Sequence, residues 1–201
     1  MNTPMPLRLT QEQFLRAFEC AELNGIPDRA TLLAQLEDPD MRETLSYWSA
    51  QLYKAPEDLV CVADLQSKEE LHYVASHLNW DDGLIAPRAI LAHPLCDAGT
   101  ALLLYWYGQG WWHSSADDAQ KDDAIFYAQL VRRFTEGDFS TYSIAFDPFA
   151  DQFVPDLATL RKRGLQLPGV LFATYRCQVV ETRQDAYQAY LDEWQARHAQ
   201  E

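Results

Sequence analysis

The sequence contains none of the short motifs that mark the commonest nucleotide, hydrolase and metalloprotease sites. It has no Gly-x-Gly-x-x-Gly, no phosphate-binding P-loop, no Gly-x-Ser-x-Gly elbow and no His-Glu-x-x-His pair. Each of these motifs places a reactive or ligand-binding group at a fixed point of a turn or helix, so those functions are unsupported here. We therefore predict no catalytic residue, no metal and no cofactor.

Basic residues are scarce. The chain has 16 lysine and arginine residues against 30 aspartate and glutamate residues, which gives a formal net charge of −14. Such a chain repels the phosphates of nucleic acids and the anionic headgroups of membranes, so we predict neither as a partner. Opposite potentials speed the encounter of two proteins, so the charge favours a basic protein partner. The alternative is that the excess charge only keeps the protein soluble.

Long apolar runs and closely spaced cysteines are also missing. No stretch approaches the roughly eighteen apolar residues of a membrane span, and the N-terminus lacks the apolar run of a secretory signal. The four cysteines, Cys20, Cys61, Cys96 and Cys177, form no Cys-x-x-Cys pair of the kind that binds zinc. We expect free thiols in a reducing compartment, and therefore a cytoplasmic protein.

The hydrophobic residues recur mostly with the period of a helix, and residues that start helices stand in front of the apolar runs. Predicted starts are Thr10 with Gln13, Asp28, Asp38-Pro39, Ser67 with Glu70, Asp97 and Asp156. Gly137 is a predicted helix end, and residues 182–199 form an amphipathic terminal helix. Residues 170–180 suit one short strand as well as a helix.

These patterns predict a mainly α fold, a compact multi-helix domain of stacked helical hairpins with about eight to ten helices. With 201 residues, of which 48% are hydrophobic, the chain can bury a sizeable core. We expect a single domain over residues 1–201.

Unusual dipeptides cluster between residues 71 and 101, with one more segment downstream: Leu71-His72-Tyr73, Asn79-Trp80-Asp81-Asp82-Gly83, Pro87, His93-Pro94, Cys96-Asp97, Gly99-Thr100-Ala101 and Phe146-Asp147-Pro148. Together these residues resemble a known bacterial family, the domain of unknown function 4274. The resemblance implies a helical core over about residues 66–150, with an N-terminal helical extension (1–65) and a C-terminal extension (151–201). It carries no established catalytic residues.

The motif has a structural and a chemical interpretation. Its residues of interest are Trp80, Asp81, Asp82, Gly83, His93, Pro94, Cys96 and Asp97. Asp82-Gly83 is typical of a turn, Asp97 of a helix cap, and His93-Pro94 of a helix end. The alternative is a small enzyme or metal-binding protein that uses Asp81, Asp82, His93 and Asp97, since carboxylate and imidazole are common ligands.

A second group suits binding to a protein partner. It consists of two adjacent tryptophans and the acids that follow them: Trp111, Trp112, Asp117, Asp118, Asp122 and Asp123. Tryptophan is enriched in binding hot spots, and we expect Trp112 to be the more exposed of the pair. Acids at a helix start are also expected without any partner, because they favour the helix dipole. The resemblance suggests a family context of toxin systems, so the predicted function is an acidic protein-binding module, specifically an immunity protein that neutralises a cognate toxin.

Overall fold

The computed structural model describes residues 5–114, 121–150, 155–162, 165–175 and 177–198. The chain forms two compact units. The first unit consists of Leu7–Leu95 and Val180–Glu201, and the second of Met1–Pro6 and Cys96–Val179. Along the sequence, most of the second unit is therefore inserted into the first. The expectation of a single domain stays a prediction.

The structure is 62% helical, which confirms the mainly α prediction. The described part of the chain contains nine α-helices, and short 3-10 turns connect several of them. The helices are α1 (Gln11–Glu22), α2 (Arg29–Glu37), α3 (Pro39–Gln51), α4 (Lys68–Ser76), α5 (Ile85–Ala92), α6 (Ala98–Tyr107), α7 (Asp122–Glu136), α8 (Leu157–Lys162) and α9 (Gln188–His198). None of the helices in the described ranges is both long enough and apolar enough to cross a membrane.

Side-chain caps start the helices of the first unit at the predicted places. Thr10 and Gln13 form a complete capping box before α1, and Asp38 caps α3 directly before Pro39. The predicted capping box at Ser67 is only half formed. Ser67 accepts a hydrogen bond from the Glu70 backbone, but the Glu70 carboxylate accepts one from the Gln66 backbone instead of returning to Ser67.

An aromatic cluster forms one part of the core of the first unit, where α1 packs against α4 and α9. The ring of Phe14 stacks on Tyr187 at 4.3 Å between centroids and meets the edge of Tyr73 at 5.6 Å. The Tyr187 hydroxyl accepts a hydrogen bond from the Leu9 backbone and donates one to the Glu181 carbonyl. Residues near the two ends of the chain are thus tied into the same core.

A second apolar cluster lies where α2 packs against α3. Its buried members are Ile26, Leu32, Leu45, Leu52, Leu59 and Cys61, with Leu23, Leu36 and Trp194 packed against them. Burial of such side chains from water is the main stabilising contribution to a core of this kind.

The second unit is built around α6, which is buried from Ala98 to Trp106. A helix that is apolar on every face belongs inside a core, as predicted. The helix α7 packs against α6 and ends at Gly137, which takes the left-handed conformation. The Trp106 indole donates a hydrogen bond to the Leu171 carbonyl at 2.8 Å, which anchors the 3-10 turn Gly169–Phe172.

Residues 170–180 form single bridges and no extended strand among the described residues. Ile144 pairs with Gln178 in parallel, whereas Phe146 pairs with Tyr175 in antiparallel fashion. A ladder needs successive pairs of one direction, so this reversal prevents a strand from continuing. Leu171 and Val180 are buried in this stretch, whereas Val179 is exposed.

Candidate functional site

A tight reversal after α6 sets up the tryptophan pair. Gln109 takes a φ of +57°, and the Gly110 backbone donates a hydrogen bond to the Tyr105 carbonyl at 2.8 Å. A Cβ atom on Gly110 would lie 2.6 Å from the Tyr105 ring and 2.7 Å from that of Tyr127, so only glycine fits. The Tyr127 hydroxyl fixes the same reversal by donating to the Gly108 carbonyl at 2.5 Å.

The two tryptophans that follow differ in exposure. Their rings meet edge to face at 5.7 Å between centroids and an angle of 83°. Trp112 is 48% exposed, while Trp111 is partly buried. Trp112 is therefore the more exposed of the two, as expected from the sequence.

The turn Trp112–Ser114 packs against the helix α7. The His113 ring stacks on Tyr127 at 5.3 Å, and its Nδ1 lies 3.9 Å from the Asp123 carboxylate. Asp122 and Asp123 form the first turn of α7, where the helix dipole favours negative charge.

We give the name tryptophan–acid face to Trp112 and the accessible residues at the start of α7, Asp122, Asp123 and Ile125, because the turn that carries Trp112 packs against α7. Ile125, which is 51% exposed, stands three residues after Asp122 and hence on the same side of α7. The predicted partner-binding residues Asp117 and Asp118 lie outside the described residues.

The first half of the sequence motif is a turn in the first unit. The Asn24 amide donates to the Asp82 carboxylate at 2.9 Å, and its oxygen accepts from the Asn79 backbone at 2.8 Å. Asp81 is exposed and Trp80 partly buried, while Gly83 takes a φ of +82°. The predicted turn is confirmed, and Asp82 has a structural partner in Asn24.

His93 and Pro94 end α5 as predicted. The Leu95 backbone donates a hydrogen bond to the His93 Nδ1 atom at 3.2 Å, and partial burial lowers the pKa of His93. Cys96 is buried, and this burial raises its pKa to about 12. It therefore carries a neutral thiol, which is not a reactive nucleophile.

Asp97 is a fully buried carboxylate that accepts five hydrogen bonds. One of its oxygens caps α6 through the Gly99 backbone at 2.8 Å and accepts from the Ile144 backbone at 3.2 Å. The other accepts from the Thr141 hydroxyl at 2.6 Å and from both the backbone and the hydroxyl of Ser143 at 2.8 and 2.9 Å. This carboxylate therefore joins the start of α6 to residues 141–144.

The hydrogen bonds to Asp97 decide its ionisation. Burial by itself would raise the pKa of this carboxyl, but the donors on Thr141, Ser143 and Gly99 outweigh burial and lower the pKa below its ordinary value. Asp97 is thus a charged structural group. Its oxygens are occupied by protein donors, which argues against a role as a metal ligand or proton carrier.

The described residues contain no group of three or more histidine, cysteine, aspartate or glutamate side chains placed to hold a metal ion. The structure accordingly gives no support to the alternative of a metal-dependent site in this motif.

The motif, the tryptophan pair and the start of α7 all fall within one stretch that is similar to a known family. Residues 66–134 match the family model of a domain of unknown function (DUF4274). The DUF4274 match confirms the suspected resemblance, but it ends at residue 134, so the Phe146-Asp147-Pro148 segment lies beyond it. No curated protein and no solved structure matches the chain.

The DUF4274 region covers about a third of the chain and includes residues of both units. It also contains a buried acid that the sequence analysis assigned only to a helix cap. Glu70 is fully buried and binds the Arg16 guanidinium through both oxygens, at 2.7 and 3.2 Å. An acid in the first turn of a helix looks like a capping residue, so nothing in the sequence distinguished Glu70 from an exposed one.

A second buried acid, outside the DUF4274 region, was also missed. Glu19 lies on the buried side of α1, where it accepts hydrogen bonds from Lys54 at 2.5 Å and from the Val60 backbone at 2.8 Å. Its position between Phe18 and Cys20 was the available signal, since an acid on the apolar face of a helix needs a partner.

Proposed function

We propose that this protein is an acidic protein-binding module that holds a basic partner against its tryptophan–acid face. The observation that carries the proposal is the half-exposed Trp112 on a turn packed against the acidic first turn of α7. The tight reversal at Gly110 and the stacking of His113 on Tyr127 hold this turn in place.

Trp112 is of a residue type that is enriched in binding hot spots. A large aromatic side chain contributes contact area at little entropic cost, and nearby charges set which partner it accepts. Asp122 and Asp123 would attract a partner rich in lysine and arginine, in keeping with the net charge of −14.

The more specific form of the proposal is an immunity protein, whose partner is a cognate bacterial toxin. An acidic face that covers a basic surface would block that surface from its substrate. The acidic composition and the aromatic anchor support this form, and an identified partner would test it.

Affinity capture of the tagged protein from its native host, followed by mass spectrometry, tests the proposal. We expect a stoichiometric basic protein whose binding weakens as salt is raised. Trp112→Ala should weaken binding at least about tenfold, as expected for a hot-spot aromatic. Tyr47→Ala is the matched control, because Tyr47 is also an exposed aromatic but lies on α3.

The immunity form has a separate test. Expression of the captured partner alone should stop bacterial growth. Co-expression of the wild-type chain should restore growth better than co-expression of Trp112→Ala. A partner that is harmless to cells would exclude the immunity form while leaving the binding module intact. Capture that is equally strong with Trp112→Ala and with the wild type would overturn the proposed face.

A further inference from the structure

The first unit contains a cleft that the proposed function does not use. Its volume is about 440 Å³, within the range of small-molecule sites. It is formed by the loop after α1, one side of α2 and α3, and the start of α5. Its lining includes Glu22, Asn24, Gln35, Trp48, Asp82 and Ile85. We call it the α1–α3 cleft.

The charges in this cleft have one sign. Glu22 and Asp82 supply two carboxylates, and no lysine, arginine or histidine is among the described residues that line it. An anionic ligand would meet two like charges, whereas a cation would meet two opposite ones. The lining therefore selects against anions.

Two polar groups in the cleft are also unusual for a partly buried site. Glu22 is half-buried and makes no hydrogen bond or ion pair with any described residue, and burial raises its pKa, against a smaller opposite effect of His77. The Gln35 side-chain oxygen is buried without a hydrogen-bond donor in the described part of the chain. Both are acceptors, but only Glu22 is open to a ligand, since the Gln35 oxygen has almost no solvent-accessible surface.

The remaining lining is apolar and aromatic. Trp48 contributes an indole, the residue type whose ring face attracts cations best. Ile85 is 62% exposed at the start of α5, which leaves an apolar rim for a hydrocarbon group. A ligand with a cationic head and an apolar body would use both features.

The floor of the cleft is fixed before any ligand arrives. Gly25 takes a φ of +67°, and a Cβ atom there would lie 3.0 Å from the side chain of Ala86. Asn24, also with a positive φ, holds the Asp82 carboxylate through its amide. Such preorganisation reduces the entropy lost on binding.

We propose that the α1–α3 cleft binds a small organic ammonium ion, with Glu22, Asp82 and Trp48 around the cationic head and Ile85 beside its apolar body. The ammonium group supplies only hydrogen-bond donors, which suit the two carboxylates: Glu22 has no donor among the described residues, and Asp82 accepts one bond, from the Asn24 amide. The inference is independent of the protein-binding proposal, because none of its residues belongs to the tryptophan–acid face.

The test is a titration of the full chain with three probes of similar shape, in which the NMR chemical shifts of the backbone amides and indole groups are measured at each step. Phenethylammonium is the cation, phenethyl alcohol the neutral analogue and hydrocinnamate the anion. We expect saturable binding of the cation with a Kd of about 1 mM or tighter, binding of the alcohol at least about tenfold weaker, and no binding of the anion.

Isosteric variants then identify the groups involved. Glu22→Gln and Asp82→Asn should each weaken phenethylammonium by about five- to tenfold and leave the alcohol unchanged. Asp81→Asn is the matched control, because Asp81 is exposed, adjacent to Asp82 and not part of the cleft. Unchanged shifts away from the cleft establish that each variant is folded.

Three results would overturn the inference. Equal binding of the cation and the alcohol would show that the cleft binds only the apolar body. Unchanged affinity for phenethylammonium in both Glu22→Gln and Asp82→Asn would show that the carboxylates do not contribute to binding. Binding of a lysine-containing peptide, without binding of the free ammonium, would make the cleft a docking pocket for a basic chain instead.

Discussion

Replacement of Asp97 by alanine should destabilise the second unit strongly. The substitution removes the acceptor of five hydrogen bonds from a fully buried position. The backbone donors of Gly99 and Ile144 are buried, and each buried donor left unsatisfied costs about 1 to 3 kcal/mol. The donors on Thr141 and Ser143 are only partly buried, so water can accept part of the hydrogen bonding that the Asp97 carboxylate provided.

The Gly99 bond is also the helix cap, so it is counted once, and the two buried donors together give an expected decrease of about 4 kcal/mol in the free energy of unfolding. Urea denaturation at neutral pH, monitored by tryptophan fluorescence and far-UV circular dichroism, measures this decrease. Asp156→Ala is the matched control in the same unit, because Asp156 caps α8 through the Thr159 backbone at an exposed site. Its effect should be much smaller.

The same variant has a characteristic pH dependence. The pKa of Asp97 is lower in the folded protein than the value of about 3.9 expected when unfolded, so its contribution is complete above about pH 4. The contribution is lost as the pH falls through the folded pKa. The stability difference between wild type and Asp97→Ala should therefore be constant from pH 5 to pH 8 and shrink in stronger acid. If Asp97→Ala costs no more than Asp156→Ala at neutral pH, the network is not a major source of stability.

Three other predictions concern close packing, a buried ion pair and thiol reactivity. Gly99→Ala should lower the unfolding free energy by about 3 kcal/mol, because its Cβ atom would lie 2.3 Å from the Ile144 carbonyl oxygen. Gly169→Ala should be nearly neutral in the same urea titration, because the surroundings of Gly169 are open. Glu70→Ala should lower the unfolding free energy by about 3 kcal/mol, because it leaves the mostly buried Arg16 guanidinium with only the exposed Glu12 carboxylate. Glu12→Ala, which removes that exposed carboxylate alone, should lower the thermal midpoint far less, and equal losses in the two variants would contradict this expectation. An aromatic disulfide reagent should modify only Cys177 rapidly in the native protein, since the other three thiols are buried. Fast release of more than one equivalent of the aromatic thiolate would show that a buried cysteine becomes accessible.

Local signals in the sequence predicted the helix starts well. The caps at Thr10, Asp38 and Asp97 and the end at Gly137 depend on neighbouring residues only, so a few residue types at fixed spacing were enough to place them. The exposure of Trp112 followed similarly from its position beside a second tryptophan.

The candidate sites were harder to predict because their members are distant in the sequence. Asp97 was recognised as a cap, but four of its five hydrogen bonds come from residues more than forty positions later. Glu22 and Asp82 share the α1–α3 cleft across about sixty residues. Periodicity reports which face of one helix is buried, and it carries no information on which distant helix covers that face.

The aromatic cluster of the first unit has a consequence for the order of folding during synthesis. Phe14 and Tyr73 emerge from the ribosome long before Tyr187, the ring on which Phe14 stacks and which contacts the edge of Tyr73. Nearly the whole second unit is translated in between. Until Tyr187 is made, the nascent first unit lacks the ring that packs on Phe14 and Tyr73, and apolar surface left exposed during synthesis favours aggregation, which chaperones counteract.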